Sequence, residues 1–144
     1  QFDQAIRKEA AEMKTHYELF YCLENSLREL ITETMKVLGA NWWEEKVPEP
    51  VRREAEANRK RESEMGVTLR SDDPIDYTTF GQLGDIVRAN WAQFADTFSN
   101  PQAFNRIMTS LNQLRAPIAH CCPLAPDEVD RLRLTLKDWF RVMS

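Results

Sequence analysis

Glycine is scarce in this sequence, with four residues in 144. Neither a Gly-x-x-x-x-Gly-Lys loop nor a Gly-x-Gly-x-x-Gly turn occurs. Proteins that use these motifs need the glycines so that the backbone can approach a phosphate. The sequence therefore excludes P-loop nucleotide motors and dinucleotide dehydrogenases. No cofactor is predicted.

Three further features are missing. There is no basic excess, since 19 Lys and Arg stand against 23 Asp and Glu, which argues against a general nucleic-acid-binding surface. There is no run of about 18 apolar residues, so no membrane contact is expected. The three cysteines are odd in number and Cys121 and Cys122 are adjacent, which indicates no disulfide framework and a reducing, cytoplasmic location.

Helical periodicity dominates what is present. Apolar residues recur at helical spacing from about Thr15 to Leu38, after Thr78, after Asn100–Pro101 and after Asp127–Glu128. The last three stripes contain Leu83, Ile86, Val87, Trp91, Phe94 and Phe98; Phe104, Ile107, Met108, Leu111 and Ile118; and Val129, Leu132, Leu136, Trp139, Phe140 and Met143. No segment alternates with period two. The sequence predicts an all-α bundle of four or five helices.

One domain is expected at residues 15–144, preceded by a charged helical lead-in at 1–14. Because the chain begins at Gln1, we expect it to be part of a longer protein with partner domains. The charged stretch from Val51 predicts an exposed helix that ends at Gly66. We interpret its basic Arg52–Arg61 segment as a solvated helix face rather than an RNA contact.

Aromatic side chains follow the apolar stripes. The four tryptophans lie on or beside them and are predicted to be core or dimer-interface residues: Trp42, Trp43, Trp91 and Trp139.

Only two histidines are available for acid–base chemistry. His16 lies at the edge of the first stripe and is interpreted as a surface residue. His120 closes the third stripe, five positions after Arg115 and eight after Asn112. The run His120-Cys121-Cys122 is not expected to bind zinc, because three consecutive residues do not easily occupy three corners of one tetrahedron.

The arginine, four residues and histidine at the end of a late helix resemble the motif of the HEPN superfamily (higher eukaryotes and prokaryotes nucleotide-binding). The likeness covers roughly Tyr17 to Met143 and is greatest to a branch appended to a transcript-surveillance endonuclease and to prokaryotic defence-linked proteins. Its other motifs are Phe20-x-x-Leu23-Glu24-x-x-Leu27-Arg28-x-x-Ile31, Asn41-Trp42-Trp43 with Val47-Pro48, Asp76-Tyr77-Thr78-x-Phe80-Gly81-x-Leu83, and Pro123-Leu124 before Glu128-Val129.

This resemblance implies a homodimer that places two Arg–His motifs in one cleft, and a metal-independent, toxin-like endoribonuclease in defence or RNA surveillance. Arg115 would clamp the phosphate, His120 would act as acid and base, and Asn112 would orient the phosphate or His120. On a straight helix Arg115 and His120 lie about 140° apart. A kink or early helix end at Pro117, or the dimer, would bring the motif residues together.

Two observations keep a structural alternative open. Ala116 follows the arginine where many active members have a polar residue. Arg115 can instead pair with a carboxylate such as Glu24, and His120 can cap a helix C-terminus. The alternative function is a non-catalytic dimerisation or interaction module of a multidomain protein. Residues 101–144, with six basic and four acidic side chains, form the only part with a positive balance.

Overall fold

The computed structural model describes all residues 1–144, and every regular element in it is helical. The α-helices are α1 Gln4–Met35, α2 Trp42–Lys46, α3 Glu49–Glu64, α4 Phe80–Ala89, α5 Trp91–Phe94, α6 Pro101–Ala119 and α7 Pro126–Val142. Two short 3₁₀ segments lie at Lys36–Leu38 and Pro74–Tyr77. The all-α prediction is confirmed, and the five helices of ten residues or more account for the expected number.

Contacts between residues divide the chain into two compact units. The first unit contains residues 1–26 and 97–144, and the second contains residues 27–96. Each unit has its own buried apolar residues, and each is described by itself below.

The core of the first unit is built around an aromatic group where α6 and α7 pack. The ring centroid of Phe98 lies 4.7 Å from that of Phe104 and 5.4 Å from that of Trp139. All three rings are buried, so the prediction of a core position for Trp139 is confirmed. Aromatic contacts at such distances add to the free energy gained by apolar burial.

Two residues at the end of α7 differ from the prediction. The sequence predicts both Phe140 and Met143 on the apolar face, but Phe140 is 66% exposed and Met143 is 37% exposed. Trp139 and Val142, three positions apart, are buried instead. The reason is the helical period, because residues 132, 135, 139 and 142 are spaced by three and four and share one face.

In the second unit, apolar side chains from the last part of α1 and from α3 are buried, whereas the charged side chains of α3 are not. Leu27, Ile31 and Met35 are buried, as are Val51 and Ala55 of α3. The remaining α3 side chains are exposed or half-buried, as expected for the charged stretch. α4 begins with a capping box in which the Thr79 side chain accepts from the backbone N–H of Gln82.

The apolar stripe from Leu83 to Phe98 predicts a single helix, but the structure interrupts this helix at Asn90. The Asn90 side-chain amide donates to the Ile86 carbonyl at 2.9 Å and to the Lys46 carbonyl at 3.0 Å. Asn90 itself has φ −123° and ψ 34°, outside the α-helical region. The side chain thus satisfies a carbonyl that the next turn of α4 would have used, and α5 starts anew at Trp91.

The two ends of α1 follow the sequence pattern. The helix already begins at Gln4, and its first turn is capped by the Asp3 carboxylate, which accepts from the Ala5 N–H at 2.7 Å. Gly39 follows the 3₁₀ segment with φ 126°, a backbone conformation that favours glycine and ends the helical path. None of the helices is both long and apolar enough to span a membrane.

Candidate functional site

Asn112 and Arg115 lie on the second half of α6 and His120 follows its last residue, and local chemistry fixes that helix. The Asn100 side chain accepts from the Ala103 N–H at 2.9 Å, and Pro101 occupies the first turn. The buried face of α6 consists of Phe104, Ile107, Met108, Leu111 and Leu114. Arg115 follows this face directly, so its side chain leaves the helix at the edge of the core.

Arg115 is held by an ion pair within the first unit. Its Nε lies 3.0 Å from Oε1 of Glu24, which comes from α1. The side chains are 33% and 17% exposed, respectively, so the pair is shielded without being buried. The structural pairing that the sequence analysis left open is therefore present. Because the contact uses Nε, Arg115 keeps its two terminal nitrogens to donate to an anion.

Asn112 lies one turn before Arg115 on the exposed side of α6. Three residues on an α-helix correspond to a separation of about 60° around the axis. The amide of Asn112 and the guanidinium of Arg115 therefore share one side of the helix.

The end of α6 is a Schellman motif. The Cys122 N–H donates to the Pro117 carbonyl at 2.7 Å, and the Cys121 N–H donates to the Ile118 carbonyl at 3.3 Å. Cys121 has φ 57°, the left-handed conformation that this motif requires and that glycine usually supplies. Pro117 lies inside the helix, and its ring does not end it.

His120 is the C-cap residue of α6 and is exposed. Its N–H still donates to the Ala116 carbonyl at 3.1 Å, so the helical path continues past Pro117 to the histidine. The early helix end considered for Pro117 does not occur. By helix geometry His120 stays about 140° from Arg115, so one chain does not place the two side chains on one face.

Charged side chains elsewhere are largely neutralised by neighbours on their own helices. On α7, Arg133 pairs with Asp130 at 3.0 Å and Arg141 pairs with Asp138 at 3.1 Å. On α3, Arg53 pairs with Glu49 at 2.6 Å. This agrees with the interpretation of the Arg52–Arg61 segment as a solvated face. The ion pair of Arg115 differs from these pairs, because its partner Glu24 is 91 positions away in sequence.

The predicted motif residues Asp76, Tyr77 and Thr78 have a structural role that sequence reasoning missed. Their three consecutive carbonyls each accept from a different side chain of the second unit. The donors are Arg70 to Asp76 at 3.2 Å, Asn58 to Tyr77 at 3.2 Å and Arg28 to Thr78 at 2.8 Å. The unpaired carbonyls of a non-helical connection are thereby satisfied. The sequence motif pointed to these three residues, but residue spacing alone does not show which side chains donate to their carbonyls.

The thiols and carboxylates do not form a metal-binding cluster. Cys22, Cys121 and Cys122 are free and exposed. No group of three or more His, Cys, Asp or Glu side chains is arranged to hold a metal ion.

The fold and the late helix define a class of protein, an all-α domain with an arginine and a histidine five positions apart at the end of one helix. Comparison with family models gives a match to Swt1-like HEPN over residues 18–144. The chain therefore belongs to the Swt1-like HEPN family, and it is a HEPN module of the ribonuclease or RNA-binding type. Comparisons with curated proteins and with solved structures gave no match.

Proposed function

We propose that this chain is a metal-independent endoribonuclease that acts as a homodimer on RNA, in a defence or RNA-surveillance context. In the reaction, a ribose 2′-oxygen attacks the adjacent phosphorus. The new bond from the 2′-oxygen to phosphorus forms as the bond to the 5′-oxygen breaks, which leaves a cyclic phosphate and a 5′-hydroxyl. One proton must leave the 2′-hydroxyl and one must reach the departing 5′-oxygen.

The observation that carries the proposal is the setting of Arg115. Glu24 fixes the guanidinium through Nε, and the side chain remains one-third exposed. Nη1 and Nη2 can then donate together to the two non-bridging phosphate oxygens as negative charge develops on them. An arginine held before the substrate arrives loses little conformational freedom on binding it.

His120 supplies the acid–base function in this proposal. It is exposed at the helix C-terminus, where its imidazole can accept or donate a proton as a general base or acid. Because Arg115 and His120 face different directions on one helix, the proposed cleft combines residues from two copies. A two-fold axis supplies each Arg115 with a neighbouring motif from the other chain. Asn112, on the Arg115 side, would orient the bound phosphate.

A non-catalytic interaction module is the second candidate, and one observation favours it. Ala116, which is exposed beside Arg115, brings no polar group to the place where many active members have one. Meanwhile Phe140 and Leu134 of α7 are 66% and 60% exposed, which suits contact with another protein.

Cleavage of labelled single-stranded RNA in the presence of EDTA tests the proposal. We expect Arg115→Ala and His120→Ala each to lower the cleavage rate by about 100-fold or more. Arg115→Lys should restore little, because an ammonium does not donate to two oxygens as a planar fork does. Asn112→Ala should have a smaller effect than either.

An exposed arginine and a half-buried histidine provide matched controls. Arg106→Ala removes a cation from the same helix, and His16→Ala removes the other histidine; both should cleave at the unaltered rate. Circular dichroism and sedimentation check that every variant keeps its fold and association state. Equal cleavage by the Arg115 and His120 variants would refute the assignment, and no cleavage by the unaltered chain at any RNA concentration favours the interaction module.

A further inference from the structure

Helix α6 differs from the other long helices of the chain in its charge. The chain has 23 acidic residues among 144, and α1, α3, α4 and α7 each contain at least one of them. α6 contains none in its 19 residues. An anion that approaches the exposed side of α6 therefore meets no carboxylate from this helix, and like-charge repulsion is avoided there.

A row of short, uncharged side chains follows the exposed side of α6. We define the α6 row as Asn105, Thr109, Asn112 and Ala116, which are spaced by four, three and four residues. At about 100° per residue, the other three lie within about 60° of the direction of Thr109, all on the same side of it. Thr109, Asn112 and Ala116 are exposed, and Asn105 is half-buried. At 1.5 Å per residue the row is about 16 Å long.

The row lies away from the face that α6 buries. Thr109 is two positions from Ile107 and two from Leu111, both of which are buried. Two residues correspond to about 200° around the helix, so Thr109 lies almost opposite these two side chains. The row is therefore open to a ligand without any change in the core.

The C-terminal end of the row adjoins the candidate site. Asn112 belongs to both, and Arg115 lies about 60° from it around the helix. Ala116, in the last position of the row, has no side-chain atom beyond Cβ, so a ribose–phosphate backbone can approach the helix closely there. A strand that lies along the row thus ends beside the guanidinium that is proposed to bind the scissile phosphate.

The chemistry of the row favours RNA as its ligand. The amides of Asn105 and Asn112 and the hydroxyl of Thr109 can each donate and accept hydrogen bonds. Such uncharged groups contact phosphate and sugar oxygens in complexes with nucleic acids, and the 2′-hydroxyl of RNA offers a further donor and acceptor. A protein partner is less favoured, because the row offers neither a large apolar side chain nor a charge.

We propose that the α6 row binds the single strand of RNA that flanks the scissile bond, with Thr109 as its central contact. The proposal rests on the proposed function for the identity of its ligand. It adds a binding surface about 16 Å long to the three site residues. RNA that extends over the row should therefore bind more tightly than a dinucleotide, which occupies the site alone.

Cleavage of RNA of two lengths tests the row. We expect Thr109→Glu to lower kcat/KM for a labelled RNA of about 12 nucleotides by about tenfold, because its carboxylate repels the phosphates. Thr109→Val, which removes the hydroxyl, should lower it by about threefold. Cleavage of a dinucleotide, which does not reach Thr109, should be unchanged in both variants. A folding defect would lower both rates, so a loss confined to the longer RNA isolates the row.

Binding is measured separately from cleavage. In a chain that carries His120→Ala, fluorescence anisotropy gives the Kd of the same labelled RNA while the RNA stays intact. Addition of Thr109→Glu should raise this Kd by about tenfold. The absence of RNA binding by the His120→Ala chain, or a Kd indifferent to Thr109→Glu, overturns the proposal.

Matched variants provide the controls. Thr15→Glu makes the same substitution at an exposed threonine of α1 and should leave both kcat/KM and Kd unaltered. Gln113→Ala removes an exposed amide on the other side of Thr109 and should have a smaller effect than Thr109→Val. A larger effect of Gln113→Ala overturns the position of the row. Sedimentation checks the association state, and dissociation of a dimer by Thr109→Glu overturns the proposal in favour of a protein contact.

The row and the ribonuclease proposal fail separately. RNA binding that depends on Thr109 in a chain without cleavage supports the row and contradicts the nuclease. Cleavage of the longer RNA that is indifferent to Thr109→Glu supports the nuclease and contradicts the row.

Discussion

Arg115 donates through Nε to Oε1 of Glu24 at 3.0 Å, although the two residues are 91 positions apart. The pair joins the end of α6 to α1 within the first unit. It also fixes the direction of the arginine before any ligand is present, since a guanidinium bound at Nε can rotate little about its last side-chain bonds. The same contact is thus a structural ion pair and the support of the candidate phosphate clamp.

Glu24→Ala should therefore affect activity more than stability. We expect the free energy of unfolding to fall by about 0.5–1 kcal/mol, since the pair is partly exposed to solvent. RNA cleavage should fall by about tenfold, because Arg115 is then no longer oriented. Glu24→Gln keeps an oxygen that accepts from Nε and should retain most of the activity. Urea unfolding measures the effect on stability and cleavage kinetics measure the effect on activity, with the exposed Glu29→Gln as control. Unchanged cleavage by Glu24→Ala would contradict the role of Glu24 in positioning Arg115.

Cys121→Gly should stabilise the protein. Cys121 has φ 57°, and a side chain in this conformation costs about 1–2 kcal/mol that glycine avoids. Part of this gain is lost to the greater freedom of glycine in the unfolded chain, so we expect a net increase of about 0.5–1 kcal/mol. Cys122→Gly, at the neighbouring position without a positive φ, should not stabilise. Chemical denaturation compares the two variants, and a destabilised Cys121→Gly protein contradicts the strain.

Tyr77→Phe should loosen the connection before α4. The buried Tyr77 hydroxyl donates to the Ser71 carbonyl at 2.8 Å, and its removal leaves that carbonyl without this donor. The expected loss is about 1 kcal/mol in the free energy of unfolding. Tyr21→Phe, which removes an exposed hydroxyl, is the control and should be neutral. Faster hydrogen exchange at residues 66–78 in the Tyr77 variant alone provides a second readout.

Acid stability should depend on Glu62. Its hydrogen bond from Arg70 lowers the pKa of the Glu62 carboxyl below the usual 4.5. A carboxyl with a lower pKa in the folded state contributes stability that is present above pH 4.5 and lost as the pH falls through the lowered value. The stability difference between the unaltered chain and Glu62→Gln should therefore shrink as the pH is lowered below 4.5. Urea unfolding at several pH values measures it, and a constant difference contradicts the linkage.

Much of the helical structure could be predicted because its causes are local. Asn100 and Pro101 begin α6 by capping chemistry, and Gly39 supplies a positive φ that few other residues adopt. Apolar spacing located the helices because a buried face must repeat with the helical period. The break at Asn90 was not predictable in this way, since one of its side-chain hydrogen bonds reaches Lys46, 44 residues away.

The candidate site likewise depends partly on local sequence and partly on tertiary structure. The sequence by itself determined which residues are candidates for the chemistry, because only two histidines exist and one follows an arginine at the family spacing. Tertiary structure decided that Glu24 is the partner of Arg115, that α6 continues past Pro117, and that His120 lies on another side of the helix. Spacing along a chain fixes angles around one helix, whereas the partner of a side chain depends on which other helix the core brings beside it.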